Sequence, residues 1–231
     1  MPYILRTEAL ALGQPLPRRA FFTYLGTAAG IGALALASCS DDTDVQPASI
    51  TPAFGTGDVS ILNFIYTFEQ LQAAFYTQVL ARLPLDVQAD DRRYFQQLAQ
   101  HQAIHRDLLA RLIERDFPGQ RLPLFTFNFS SVDFAQRSAV LSAAKTLEDL
   151  GVSAYNGVLP KLATAAYLTL LAGMSSVEAR HSALISDLIT LGTFANTANS
   201  NGLDVTRTPV AALALIQPYI RQTLDGGSIG T

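Results

Sequence analysis

Apolar residues return every three or four positions along four long stretches of the chain, and the polar residues that interrupt them are few and of a limited kind. From about Asp58 to Leu83 the stripe is Leu62, Ile65, Ala73, Tyr76 and Leu80, interrupted by Glu69, with Asp58 placed to cap the helix. Pro84-Leu85-Asp86 predicts a tight turn, and a second helix from about Val87 to Arg115 carries Tyr94, Leu98, Leu109 and Leu112, interrupted by Gln102 and His105. A third, opened by Ser131 or Asp133 and reaching Val158 before Pro160 stops it, carries Val140, Ala144, Gly151, Tyr155 and Val158, interrupted by Glu148. The fourth, from about Leu162 to Leu191, carries Leu168, Leu171, Met174, Leu184, Ile185 and Leu188, interrupted by Glu178 and His181. Its apolar opening, 162–173, is too short and too broken to span a bilayer.

The connections also carry information. Phe117-Pro118-Gly119 ends the second helix, and the segment to Ser131 has aromatic and Leu residues in alternation but no helical period. With no partner strand in view it predicts an extended crossover: about fourteen residues at roughly 3.3 Å each reach about 46 Å, more than the roughly 38 Å of a helix of about 25 residues. Gly192 to Asn201 predicts a small-polar loop, Pro209 to Ile216 a short helix over one end, and the last residues a frayed tail.

The two hairpins repeat each other. Glu69-Gln70-Leu71, Tyr76 and Val79-Leu80 recur at a shift of 79 as Glu148-Asp149-Leu150, Tyr155 and Val158-Leu159. Gln102-Ala103-Ile104-His105, Leu108 and Leu112-Ile113 recur at a shift of 76 as Glu178-Ala179-Arg180-His181, Leu184 and Leu188-Ile189. Two related hairpins joined by a long crossover predict an all-α, ferritin-like four-helix bundle with pseudo-twofold symmetry, plus a short C-terminal helix.

The interruptions then become a constellation. Three Glu and two His at the midpoints of four helices need a common explanation, because unpaired carboxylates are almost never fully buried. Either they hold a metal, or they form a mutually hydrogen-bonded network with perturbed protonation. Glu178 and His181, three residues apart, project from one helix face. Tyr76 and Tyr155, two turns beyond Glu69 and Glu148, either pack with satisfied hydroxyls, hydrogen-bond near the site or serve in electron transfer. Arg180 is placed to pair with Asp149 or cap the acidic site, and His101 to be hydrogen-bonded or partly exposed.

Leu62-Asn63-Phe64 with Phe68-Glu69, Ala73-Ala74-Phe75-Tyr76, His105, Leu147-Glu148-Asp149 with Gly151 and Ala154-Tyr155, and Glu178-Ala179-Arg180-His181 together resemble the ferritin-like domain family that includes desiccation-related proteins. The wider superfamily includes ferritin, rubrerythrin and manganese catalase. The resemblance covers all four helices and implies one Glu from each of two helices, Glu69 and Glu148, and a Glu-x-x-His from each of the others. Glu178 and His181 complete one such pair; His105 ends the other, but Gln102 stands where its Glu belongs. Gln72 is a second departure, since the family commonly has Glu there too. With three Glu left, a single metal held by Glu148, Glu178 and His181, with Glu69 in reach, is chemically easier than two. The implied cofactors are therefore one or two iron or manganese ions, or none.

Composition and the amino terminus set the compartment. The 231 residues carry a formal charge of -3, and the 16 Lys and Arg form no patch, which excludes the basic footprint of a nucleic-acid binder. Pro17-Arg18-Arg19-Ala20-Phe21-Phe22 ahead of a Gly- and Ala-rich apolar run predicts an export signal over 1–38, and it resembles a twin-arginine signal, the route for folded proteins. Leu36-Ala37-Ser38-Cys39 resembles a lipobox, with Cys39, the only cysteine, as the lipidated residue. Residues 39–57, acidic and Pro-containing, predict a solvated tether, 58–220 the bundle and 221–231 a flexible tail. The expected location is the cell envelope, lipid-anchored in the outer membrane or at the cell surface. The expected partners are the membrane and a second copy of the chain in a homodimer.

Two functions fit this reading. One is a redox lipoprotein, disposing of peroxide or oxidising ferrous iron at the core; the other is a metal-free structural or binding lipoprotein of envelope stress or desiccation, with a degenerate di-metal site.

Overall fold

A computed structural model describes residues 51–84 and 86–231. The signal at 1–38, Cys39 and most of the tether lie outside the described residues. Five α-helices follow in order: α1 (Gly57–Ala81), α2 (Ala89–Asp116), α3 (Arg137–Val158), α4 (Ala165–Ile189) and α5 (Pro209–Ile216). Short 3₁₀ turns at Leu159–Lys161 and Gln217–Tyr219 follow α3 and α5. The described residues are thus all-α, with one isolated bridge, Phe127 to Ile220, as the only β pairing among them. None of these helices is long and apolar enough to cross a membrane.

Helix α1 is the spine. From Val59 to Tyr76 every residue but Ala74 is buried, because α2 packs on one side, α3 on another and the crossover lies along a third. Ahead of the bridge at Phe127, two amides of α1, Asn63 and Gln70, pair with the crossover backbone. Asn63 accepts from the Leu122 N–H and donates to the Gln120 carbonyl, while Gln70 accepts from Phe125 N–H and donates to the Pro123 carbonyl. Their spacing of two helical turns fits an extended segment running along the helix. Each buried crossover amide is thereby satisfied without a ladder.

Several expectations are corrected by packing. Phe54, assigned to the solvated tether, is 1% exposed and belongs to the core, and its carbonyl accepts from Asn63. Asp58 does not cap its own helix; its two carboxylate oxygens accept from the Ala163 and Thr164 N–H groups and so hold the entry of α4. Helix α3 begins at Arg137, not at Ser131 or Asp133, because Asp133 is engaged in a turn that accepts from Ala135 N–H. The tail expected to be flexible over 221–231 is docked on α1: Ile229 is buried, Gly230 N–H donates to Ser60 and the Gly57 N–H donates to the Thr231 carbonyl.

The two hairpins are also tied by charge. Asp91, at the third position of α2 within a capping box with Gln88, is 2% exposed and accepts two bonds from the Arg137 guanidinium at the start of α3. Removing one partner of such a pair leaves the other charge partly buried and uncompensated. Asp91→Ala is expected to cost about 2–4 kcal/mol in a urea unfolding curve, while Arg93→Ala, whose pairing with Asp90 is exposed, is expected to change little. Equal effects for the two variants would contradict this assignment.

Candidate metal centre

The four long helices bring Glu69, His105, Glu148, Glu178 and His181 into one buried cluster at their midpoints. Glu69, Glu148 and Glu178 are fully buried, His105 and His181 nearly so. Their potential ligand atoms form two triads, Glu69–His105–Glu178 and Glu148–Glu178–His181, each with all three atoms within 4.8 Å of one another. Glu178 belongs to both. The expected set of Glu148, Glu178 and His181 is one of the two triads, while Glu69 groups with His105 of the neighbouring helix α2 and meets that set through the shared Glu178.

The tyrosines cross between hairpins. Tyr76 of α1 donates to Glu148 Oε1 on α3 at 2.5 Å, and Tyr155 of α3 donates to Glu69 Oε1 on α1 at 2.6 Å. The repeat seen in the sequence is thus a symmetry of the site. Each hydroxyl is buried and satisfied, and each orients the carboxylate of the opposite helix.

The two departures from the family pattern have structural roles. Gln102 Nε2 donates to Glu178 Oε2 at 2.8 Å and lies 3.3 Å from His181 Nδ1. Gln72 Nε2 donates to Glu148 Oε2 and to the Leu147 carbonyl, and its amide packs on Gly151, where a Cβ would stand 3.0 Å from it. Arg180 does not pair with Asp149: it is exposed and donates to Ser176, while Asp149 takes Lys145 and Ser182. The residue that sequence reasoning undervalued is His101, whose Nδ1 lies 2.9 Å from His181 Nε2. Its only sequence signal is its place one turn before His105 on the same face.

Acceptors outnumber donors here. His105 Nδ1 stands 2.9 Å from Glu178 Oε1 but 3.4 Å from Glu69 Oε2. Glu69 Oε2, Gln102 Oε1 and Gln72 Oε1 are buried without a hydrogen-bond donor. Orphaned acceptors of this kind are costly in a dry core, and a cation between them relieves the cost. Carboxylates with imidazoles are also the donor set that iron and manganese take, so the residues fit a metal.

Protonation follows from the same geometry. Burial pushes Glu69 up to about 7, with the Glu178 charge adding to it. Burial and the Glu178 charge push Glu148 well above the usual carboxylate range. Burial alone would lower His105, but the hydrogen bond to Glu178 and the negative charges of Glu69 and Glu178 raise it to about 10. Burial would raise Glu178, yet the hydrogen bond with His105 helps bring it down to about 2.

In the metal-free protein these shifts make stability depend on pH. Glu69 and Glu148, raised in the fold, stabilise it relatively below their unfolded values near 4.5, and that contribution is lost as pH rises, for Glu69 through about 7. His105 contributes fully below about 6.5 and loses its contribution as pH rises through about 10. Glu178 contributes above 4.5 and loses its contribution only as pH falls through about 2. Chelator-treated protein should therefore melt at a lower temperature at pH 8 than at pH 5, Glu69 alone accounting for on the order of 3 kcal/mol. A melting temperature that rises over this range would contradict the protonation pattern.

Comparison with curated proteins finds no match to the chain. Residues 57–191, which contain α1 to α4 and every residue of both triads, match the family model described as ferritin-like domain. By bundle topology, by the cluster at its core and by that match, the chain belongs to the ferritin-like domain family.

Proposed function

We propose that the bundle core binds iron or manganese and that the protein is a metal-dependent redox protein of the cell envelope, disposing of peroxide or oxidising ferrous iron. The observation that carries this reading is the pair of buried triads sharing Glu178, with Glu69 Oε2 and Gln102 Oε1 left as acceptors without donors. Bound iron or manganese supplies the redox electrons that these side chains cannot. Glu69, Glu148 and Glu178 supply three negative charges when ionised, so one divalent ion is fully compensated and two need an added anion. His105 and His181 supply the nitrogens. Tyr76 and Tyr155 hold the outer oxygens of Glu148 and Glu69 in place. The amino-terminal features support export and a lipid anchor at Cys39, in the outer membrane or at the cell surface, and a stress-protective role suits that position.

A second reading, a metal-free structural or binding lipoprotein, has one observation in its favour. The site groups bond to one another: Tyr76 to Glu148, Tyr155 to Glu69, Gln102 and His105 to Glu178. Elemental analysis of the full chain, produced through its own export route, separates the two. The redox reading expects at least one ion per chain, and Gln102→Glu, which adds a carboxylate where Nε2 now meets Glu178, is expected to move occupancy from one toward two. A wild-type chain holding well under one ion ends the redox reading; an unchanged occupancy in Gln102→Glu sinks the placement of Gln102 at the centre.

A further inference from the structure

The two ring nitrogens of His181 face different worlds. Nδ1 looks inward, 3.5 Å from Glu178 Oε2 and 3.7 Å from Glu148 Oε2. Nε2 looks outward and lies 2.9 Å from Nδ1 of the exposed His101. The ring planes are 12° apart with centroids separated by 5.2 Å, which is what two ring radii and the N···N gap add up to end to end. The imidazoles therefore meet edge to edge, the geometry of an in-plane N–H···N hydrogen bond.

The proton's position on His181 follows from Gln102. Its amide nitrogen sits 2.8 Å from Glu178 Oε2, and that oxygen is an acceptor, so the nitrogen and not the oxygen of the amide must face it. An amide nitrogen has two hydrogens. One goes to Glu178, and the other faces His181 Nδ1 at 3.3 Å. Nδ1 then accepts and carries no proton. The alternative, a proton on Nδ1 aimed at Glu178 Oε2, would have to span 3.5 Å and would face a Gln102 hydrogen.

We propose that His101 is a positioning residue: by accepting the Nε2–H of His181 it locks that ring in one tautomer and one orientation, presenting the Nδ1 lone pair to the Glu148–Glu178 side of the core. Gln102 enforces the same tautomer from inside. The hydrogen bonds run one way, from Gln102 to His181 to His101, from the dry core to the surface. Gln102 is thus more than a lost carboxylate; it is a donor that keeps a ligand nitrogen unprotonated. The consequence for cation binding rests on the metal-binding reading above, whereas the tautomer does not.

The test uses the full chain labelled with ¹⁵N at histidine, first without metal and then with Co(II) as the probe. In the wild type, His181 Nδ1 is expected to give the signal of an unprotonated ring nitrogen and Nε2 that of a protonated one. His101→Ala should mix the two forms and weaken Co(II) binding by roughly 10-fold or more, and His101→Asn, which restores an acceptor near the Nδ1 position, should recover both. A proton on Nδ1 in the wild type, or a pattern unmoved by His101→Ala, overturns the proposal. So does a shifted tautomer with unchanged Co(II) affinity. A wild type that takes up no Co(II) overturns the metal reading and, with it, the positioning role, while the metal-free spectrum still decides the tautomer.

Discussion

Glu178→Ala is expected to abolish divalent-cation binding in both halves of the centre at once. Glu178 is the one residue shared by the two triads, so its loss leaves Glu69 with His105 and Glu148 with His181 and nothing between them. Glu69→Ala and Glu148→Ala each remove a ligand from one triad only, and each should leave binding in the other. The same carboxylate accepts from His105 at 2.9 Å and from Gln102 at 2.8 Å, so its removal also strands a buried imidazolium and a buried amide. Breaking a buried pair from one side costs about 3–5 kcal/mol, and for a protein of this size that lowers the melting temperature by roughly 6–20 °C. Elemental analysis and a thermal melt read the two effects separately. A Glu178→Ala chain that still holds an ion would show that the triads do not depend on a common ligand.

Gly157→Ala is expected to have a comparable effect on stability with little on binding. Gly157 lies in the last turn of α3, where the segment leading into α5 crosses it so closely that a Cβ would sit 1.8 Å from the Arg207 carbonyl oxygen. That segment is held by its backbone: Arg207 N–H donates to the Ser153 carbonyl, and Asn156 donates to the Val205 carbonyl. Helix propensity alone favours alanine over glycine by about 1 kcal/mol. The clash reverses the sign, because a carbonyl in a bonded strap cannot retreat without breaking those contacts, and a net loss of about 3 kcal/mol or more is expected. Gly173 in α4 is the control. No atom lies within 4 Å of its added Cβ, and Gly173→Ala should stabilise by about 1 kcal/mol. Denaturant melts of the two variants should move in opposite directions; movement in the same direction would refute the close approach at Gly157.

These two glycines show where sequence reasoning stops. Both interrupt helical runs, and neither has a neighbour in the chain that distinguishes them. What separates them is Arg207, fifty residues away from Gly157, brought there by a loop whose path no periodicity records. Asp58 makes the same point. Its place in the chain is that of a local cap, but the N–H groups at the entry of α4 take both of its carboxylate oxygens. Phe54 and Ile229 have no helical period around them to mark them as core, yet both are buried at the start of α1.

The site divides along the same line. The amino-acid sequence by itself determined the four helices, the hairpin repeat, the long crossover and the identity of the buried Glu and His residues, because each rests on periodicity and on the cost of burying a charge, which are properties of single positions and near neighbours. Only the tertiary structure decided which groups meet. It divided five candidate ligand residues into two triads around Glu178, crossed Tyr76 and Tyr155 between the hairpins, gave Gln102 a donor's role and set His101 against His181. Hydrogen bonds with fixed direction act over about 3 Å, and partners at that range, from helices seventy or eighty residues apart in the chain, exist only once the helices have packed.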